Sequence, residues 1–193
     1  MDNSISLNEP KNTLSMHPKK FALWLFLVSV SMIFAALTSA YIVKQGEGNW
    51  LQYNLPSIFW VNTAIIILSS VTMQLAYRSA KRDRISGIKI YMSITSLLGL
   101  FFLIGQYYSW TALVDREVFF VGNPSGTFIY VFTGVHALHL ISGVLYLIYN
   151  LFQSFKLKIH SKKMLNMDMC STYWHFLGGL WVYLFIFLLI NHA

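Results

Sequence analysis

Three histidines lie in the apolar part of the sequence, where an ionisable side chain is unusual. His136 and His139 are separated by three positions, which places both imidazoles on one face of a helix, and His175 follows in the last apolar run. Imidazoles could ligate zinc, copper or haem iron. No carboxylate lies nearby in the sequence to orient a ligating ring. We therefore favour hydrogen bonding between helices, ahead of contact with lipid or a partner and ahead of a metal site.

The rest of the sequence contains no catalytic constellation. It has no phosphate-binding glycine loop, no Ser/His/Asp arrangement and no pair of carboxylates, and its one cysteine, Cys170, excludes a disulfide within the chain. Gly134 and Gly143 flank the two histidines, and small residues of this kind let membrane helices approach closely. Asn62 begins a series of polar side chains in the second apolar run, which we expect to bond to other helices rather than to face lipid.

Composition indicates that lipid, rather than water, surrounds most of the chain. The 193 residues are 56% hydrophobic and only 11% charged, whereas a soluble domain carries about 25% charged residues. The net charge of +7 could suggest nucleic acid, but the basic residues lie in short loops between apolar runs. We therefore predict no nucleic-acid partner.

The three histidines lie in two of five apolar runs that contain no Asp, Glu, Lys or Arg. Each is close to the ~20 residues that cross a bilayer as a helix, and lipid leaves no alternative partner for backbone groups. The sequence predicts an all-α membrane protein, a bundle of five transmembrane helices, behind a flexible polar cytoplasmic tail at 1–20. A cleaved signal peptide is an alternative for the first run, which is longer than a signal core. The domain at 21–193 has predicted spans at about 21–43, 57–77, 90–110, 126–150 and 172–191.

Loop charge predicts the orientation of these spans. All of the 14 basic residues except Lys44 and Arg116 lie in the tail, the second loop or the fourth loop. These segments share one side of the membrane only if the number of spans is odd. The positive-inside rule then places the N-terminus inside and the C-terminus outside, as in a multi-pass protein of a bacterial plasma (inner) membrane. A small transporter is an alternative, but the spans lack the intramembrane charges expected there.

Several segments together resemble one protein family. The run at 126–143 is similar to an aromatic-rich Thr-Gly-x-His-x-x-His-x-x-x-Gly helix, and further matches occur in the family's order along nearly the whole chain. On these segments the chain resembles subunit III of haem-copper terminal oxidases, in the five-helix form. The further matches are Asn62-Thr63, Gly99 through Gln106, and Tyr173-Trp174-His175-Phe176 followed by Trp181.

The resemblance implies a non-redox accessory subunit of cytochrome c oxidase in aerobic electron transport. It implies packing on subunit I, a complex with subunit II and bound membrane phospholipids. The haem and copper would belong to partner subunits, with no cofactor, catalytic residue or metal ligand in this chain. The candidate residues for structural, partner or lipid contacts are His136, His139, His175, Trp174, Gly134, Gly143, Asn62 and Gln106.

The sequence departs from the family where carboxylates are usual. Val30, Ser109 and Gly178 stand at positions where the family has acidic residues, whereas Asp168 keeps one before the last helix. This puts a role in proton uptake in doubt. The alternatives are subunit III of a quinol oxidase, a relative associated with nitric-oxide reductase, or an independent membrane haem-binding protein.

Overall fold

The computed structural model describes residues 17–48, 50–51, 55–155 and 164–192, and it is all-helical in this part of the chain. Five helices are long and apolar enough to cross a membrane, and no strand occurs among the described residues. The predicted fold class is therefore confirmed. The helices are α1 (Pro18–Gly46), α2 (Ile58–Lys81), α3 (Ile85–Val114), α4 (Pro124–Phe155) and α5 (Leu165–His192).

Almost every helix extends beyond the apolar run that predicted it. α1 begins at Pro18, three residues before the predicted span at 21–43, and so includes the last three residues of the predicted tail. Proline suits the first position of a helix, where its missing N–H costs nothing. The turn between α2 and α3 likewise shrinks to residues 82–84, with Asp83 at a φ of 50°. Hydropathy marks where the hydrocarbon ends, whereas helical hydrogen bonding continues into the headgroup region. Residues 1–16 of the predicted tail lie outside the described residues.

Contacts at both ends of α1 and α5 show that these two helices run in the same direction. Lys20 and Asp168 form an ion pair that joins the starts of α1 and α5. At the far end of the same two helices, the Gln45 side chain donates to the Asn191 carbonyl. The starts of α1 and α5 and the end of α2 lie at the same end of the bundle as Lys20. We call this end the basic end. Which end faces the cytoplasm stays a prediction from loop charge.

The last helix occupies the centre of the bundle. It packs against α2, α4 and α1, while α3 packs against α2 and α4. α1 is the least buried helix, and its closer contacts are with α4 and α5. Large apolar side chains project outward from the bundle, among them Met32, Leu138 and Ile190 with about two thirds of their surface exposed. Hydrocarbon accommodates such a surface, whereas exposed apolar area of this extent is rare in soluble monomers.

Candidate functional site

Two tryptophans of α5 form the centre of the interior. Trp174 and Trp181 are each 1% exposed, and both indole N–H groups donate to hydroxyl groups of α2. The Nε1 of Trp174 lies 3.2 Å from Ser69 Oγ, and that of Trp181 lies 3.0 Å from Thr63 Oγ1. A separation of seven positions is about two helical turns, so both rings lie on the same face of α5. The tryptophan pair thus fixes the register of α5 against α2.

Glycines on two other helices make room for the Trp174 ring. A Cβ atom at Gly99 of α3 would lie 2.7 Å from the Cη2 atom of the ring. A Cβ at Gly143 of α4 would lie 3.7 Å from its Cε3 atom and 2.7 Å from Leu177 Cδ1. Trp174 therefore contacts three helices besides its own. Gly134, the other glycine singled out in the sequence, is different, because a Cβ there would meet nothing within 4 Å.

The Trp181 ring lies in the half of the same core that is farther from the basic end. It stacks on Phe59 with a ring-centroid separation of 6.0 Å and an interplanar angle of 6°. Phe102 meets it edge-on at 4.8 Å, and His136 lies 5.1 Å away. Aromatic pairs at these separations contribute about 0.5–1.5 kcal/mol beyond their buried area. The four rings bring α2, α3, α4 and α5 together in one aromatic cluster.

His136 is fully buried in this cluster and makes aromatic rather than polar contacts. Its ring lies between Trp181 and Phe102, and neither ring nitrogen has a hydrogen-bond partner among the described residues. The side-chain amide of Gln106, one helical turn beyond Phe102 on α3, also has no described partner and is 1% exposed. The hydrogen bonds expected from the sequence for His136 are therefore not made within this part of the chain.

His139 faces the first helix instead. Its Nδ1 lies 2.8 Å from the carbonyl oxygen of Val135, one turn earlier, and therefore carries the proton. The ring lies 6.3 Å from Phe26 and 6.1 Å from Phe34 of α1. Val30, midway between those two phenylalanines, is 1% exposed. Val30 is thus buried on the face of α1 that carries Phe26 and Phe34.

His175 has both ring nitrogens bonded to α2. Nδ1 lies 3.2 Å from Ser70 Oγ, and Nε2 lies 3.2 Å from the amide oxygen of Gln74. Because an amide oxygen only accepts, Nε2 donates to Gln74, and in a neutral imidazole Nδ1 accepts from the serine hydroxyl. With both contacts made, neither nitrogen is left for a metal. His175 adds a second polar link between α5 and α2, on the turn that holds Trp174.

Asn62 links the second and third helices. Its Nδ2 lies 3.4 Å from Ser109 Oγ, and the Ser109 hydroxyl donates to the Gly105 carbonyl at 2.9 Å. A Cβ atom at Gly105 would collide with the Asn62 side chain. Ser109 is fully buried. A polar contact between neutral groups therefore occupies that position.

The three predicted histidines do not form a single site. His136 lies in the aromatic cluster, His139 faces α1, and His175 bonds to α2. Within residues 17–48, 50–51, 55–155 and 164–192, no three His, Cys, Asp or Glu side chains lie close enough together to hold a metal ion. Among the candidates, Trp174, His175 and Asn62 bond one helix to another, so this part of the arrangement holds helices together.

Sequence reasoning missed one polar cluster, at the basic end. Lys20 Nζ lies 2.5 Å from a carboxylate oxygen of Asp168, and the Tyr77 hydroxyl donates to the other oxygen at 3.3 Å. The sequence places Lys20 in the predicted tail, and nothing in the sequence signals its partner on α5. The pairing of the tryptophans with Ser69 and Thr63 was also missed, although the similar spacing along α2 and α5 offered a signal.

Comparison with known proteins identifies what this chain is similar to. The family model described as cytochrome c oxidase subunit III matches residues 51–192. The cytochrome c oxidase subunit 3 of Corynebacterium diphtheriae is 33% identical over 83% of this chain and 82% of its own length. That of Thermostichus vulcanus is 30% identical over 90% of this chain and 89% of its own. The cytochrome bo(3) ubiquinol oxidase subunit 3 of Buchnera aphidicola is 28% identical over 90% and 94%.

Proposed function

Because the chain belongs to the cytochrome c oxidase subunit III family, we propose that it is a non-redox accessory subunit of a haem-copper terminal oxidase. In this role it packs on subunit I, forms a complex with subunit II and stabilises the assembly and its bound phospholipids. The observation that carries the proposal is the family match over residues 51–192, most of the five-helix bundle. The plasma membrane of a bacterium is the proposed location of this multi-pass protein.

The interior supports a structural role. The polar side chains of α2 are bonded to other helices: Asn62 to Ser109, Ser69 to Trp174, and Thr63 to Trp181. His175 uses both ring nitrogens in contacts with α2, and His139 uses Nδ1 in a contact with its own helix. His136 keeps two unpartnered ring nitrogens, but it lies among aromatic rings. The family match supports placing haem and copper in the partner subunits.

The similarity to a ubiquinol oxidase subunit 3 favours a second candidate context. In that case the same accessory subunit would serve a quinol oxidase, whose electron donor binds elsewhere in the complex. The residues of the bundle that hold α2, α3 and α5 together would have the same role in either complex.

Removal of the chain from the purified oxidase tests the proposal. We expect that detergent conditions that strip this subunit leave the whole haem spectrum with the remaining complex, because the partner subunits would hold the haem. Reduced-minus-oxidised spectra of the two separated fractions make the measurement, and the unstripped complex held in the same detergent is the control. A haem band that travels with the stripped chain would refute the accessory role.

A further inference from the structure

We propose that the contact between α3 and α4 binds a water molecule inside the membrane-spanning part of the bundle, between Gln106 and His136. Both residues are fully buried, with 1% and 0% of their surface exposed. Neither ring nitrogen of His136 and neither polar atom of the Gln106 amide has a hydrogen-bond partner among the described residues. Buried polar groups are nearly always hydrogen-bonded in folded proteins, and hydrocarbon offers no partner. The four atoms therefore point to a polar ligand within the chain.

A hydrogen bond between α3 and α4 places the two side chains at nearly the same height in the bundle. Trp110 Nε1, near the end of α3, donates to Thr133 Oγ1, in the first half of α4, at 2.9 Å. The two helices therefore run in opposite directions. Counted from this contact toward the basic end at 1.5 Å per residue, Gln106 lies about 6 Å along α3 and His136 about 4.5 Å along α4.

A second contact, nearer the basic end, gives the same result. A Cβ atom at Gly99 of α3 would lie 3.1 Å from Val144 Cγ2 of α4. Counted from this contact in the other direction, Gln106 lies about 10.5 Å along α3 and His136 about 12 Å along α4. The two independent counts agree that the residues differ in height by only about 1.5 Å, the rise of one residue.

Both residues also lie on the surfaces where α3 and α4 meet. Phe102 and Trp110 are one turn before and one turn after Gln106, and each contacts α4. Residues spaced by four share one face of a helix, so Gln106 lies on the face of α3 that packs on α4. His136 meets Phe102 edge-on at a ring-centroid separation of 5.9 Å. Opposite Gln106, α4 has the small side chain of Ala137, which leaves room beside the amide.

Water fits the hydrogen-bonding groups that these two side chains present. A neutral imidazole offers one donor and one acceptor, and a glutamine amide offers two donors and an acceptor. A direct contact between His136 and Gln106 would use one polar atom of each and leave the other unpaired. A water molecule both donates and accepts, and buried waters typically make about three hydrogen bonds. The apolar rings of Phe102 and Trp181 beside His136 favour a neutral ligand over an ion.

Water-selective Overhauser spectroscopy of the full chain in micelles tests the site. The rotating-frame experiment distinguishes a bound water from chemical exchange by the sign of the transfer. We expect direct transfer from the water resonance to the amide protons of Gln106 and to the ring protons of His136. The indole N–H of Trp174, equally buried but donating to Ser69 Oγ, is the control, because transfer relayed by a hydroxyl proton would appear there too. No transfer to either residue, or equal transfer to Trp174, would overturn the site.

Gln106→Leu tests whether the two side chains hold the water together. Leucine keeps a similar size and removes the amide, and a buried water needs two to four polar partners, so transfer to the His136 ring should fall by about fivefold or more. Gln45→Leu is the matched control, since the Gln45 amide donates to the Asn191 carbonyl at the far end of α1 and α5. Unchanged transfer in Gln106→Leu, or the same loss in both variants, would overturn the proposal. Because the measurement uses the chain alone, its failure would leave the oxidase assignment untouched.

Discussion

Replacing Trp174 by alanine should destabilise the chain by about 3–5 kcal/mol, the usual cost of truncating a fully buried aromatic residue. The ring is 1% exposed and contacts Gly99 and Gly143, so the three surrounding helices would lose packing that lipid cannot replace. Contact between membrane helices depends mainly on such packing, because hydrocarbon is as apolar as the side chains. The measurement is reversible unfolding of the purified chain in mixed micelles, followed by circular dichroism.

Trp24→Ala is the control for Trp174→Ala. Trp24 is 54% exposed on α1, so its truncation should cost less than about 1 kcal/mol. Trp174→Phe keeps most of the ring and removes the N–H that donates to Ser69. That change should cost less than alanine, since hydrogen bonds between membrane helices contribute on average about 0.6 kcal/mol. Equal destabilisation by Trp24→Ala and Trp174→Ala would contradict the central position of Trp174.

A single methyl group at Gly99 should have the second largest effect. The new Cβ would lie 2.7 Å from the Trp174 ring and 3.1 Å from Val144 Cγ2, both on neighbouring helices. The ring cannot move aside because it is fully buried, so Gly99→Ala should destabilise by about 1–3 kcal/mol, the range for overpacking. The same unfolding assay measures it.

Gly134→Ala is the matched control for Gly99→Ala. The same methyl group meets nothing within 4 Å there, and alanine favours a helix over glycine by up to about 1 kcal/mol. This variant should therefore be neutral or slightly stabilising. Combining Gly99→Ala with Trp174→Ala should cost less than the sum of the two, because the cavity left by the ring accepts the methyl group. Additive costs would show that the two residues do not share a contact.

Five helices could be predicted from the sequence because the bilayer imposes a simple requirement on each. About 20 apolar residues must follow one another without charge, and that pattern is visible without knowledge of tertiary contacts. The ends could not be predicted as well. Lys20 and Lys81 look like loop residues by charge, yet both lie in helices that continue beyond the hydrocarbon. The ion pair of Lys20 with Asp168 joins helices at opposite ends of the chain, and no local pattern marks it.

The interior could be predicted only in part. His136 and His175 look alike in the sequence, each a histidine within an apolar run. The structure bonds His175 to Ser70 and Gln74 and surrounds His136 with aromatic rings. This difference depends on how each helix is rotated against its neighbours, which periodicity alone does not fix. Gly134 and Gly143 pose the same problem, since one lies in open space and the other contacts α5.

Affinity purification of the tagged chain from its native membrane in mild detergent tests whether it is an oxidase subunit. We expect that a larger, haem-containing membrane subunit co-purifies with it, and that the eluate shows oxidase haem bands in the reduced-minus-oxidised spectrum. The same tag on an unrelated multi-pass protein should elute without these bands. A tagged chain that elutes without a haem-containing partner would contradict the assignment as an oxidase subunit.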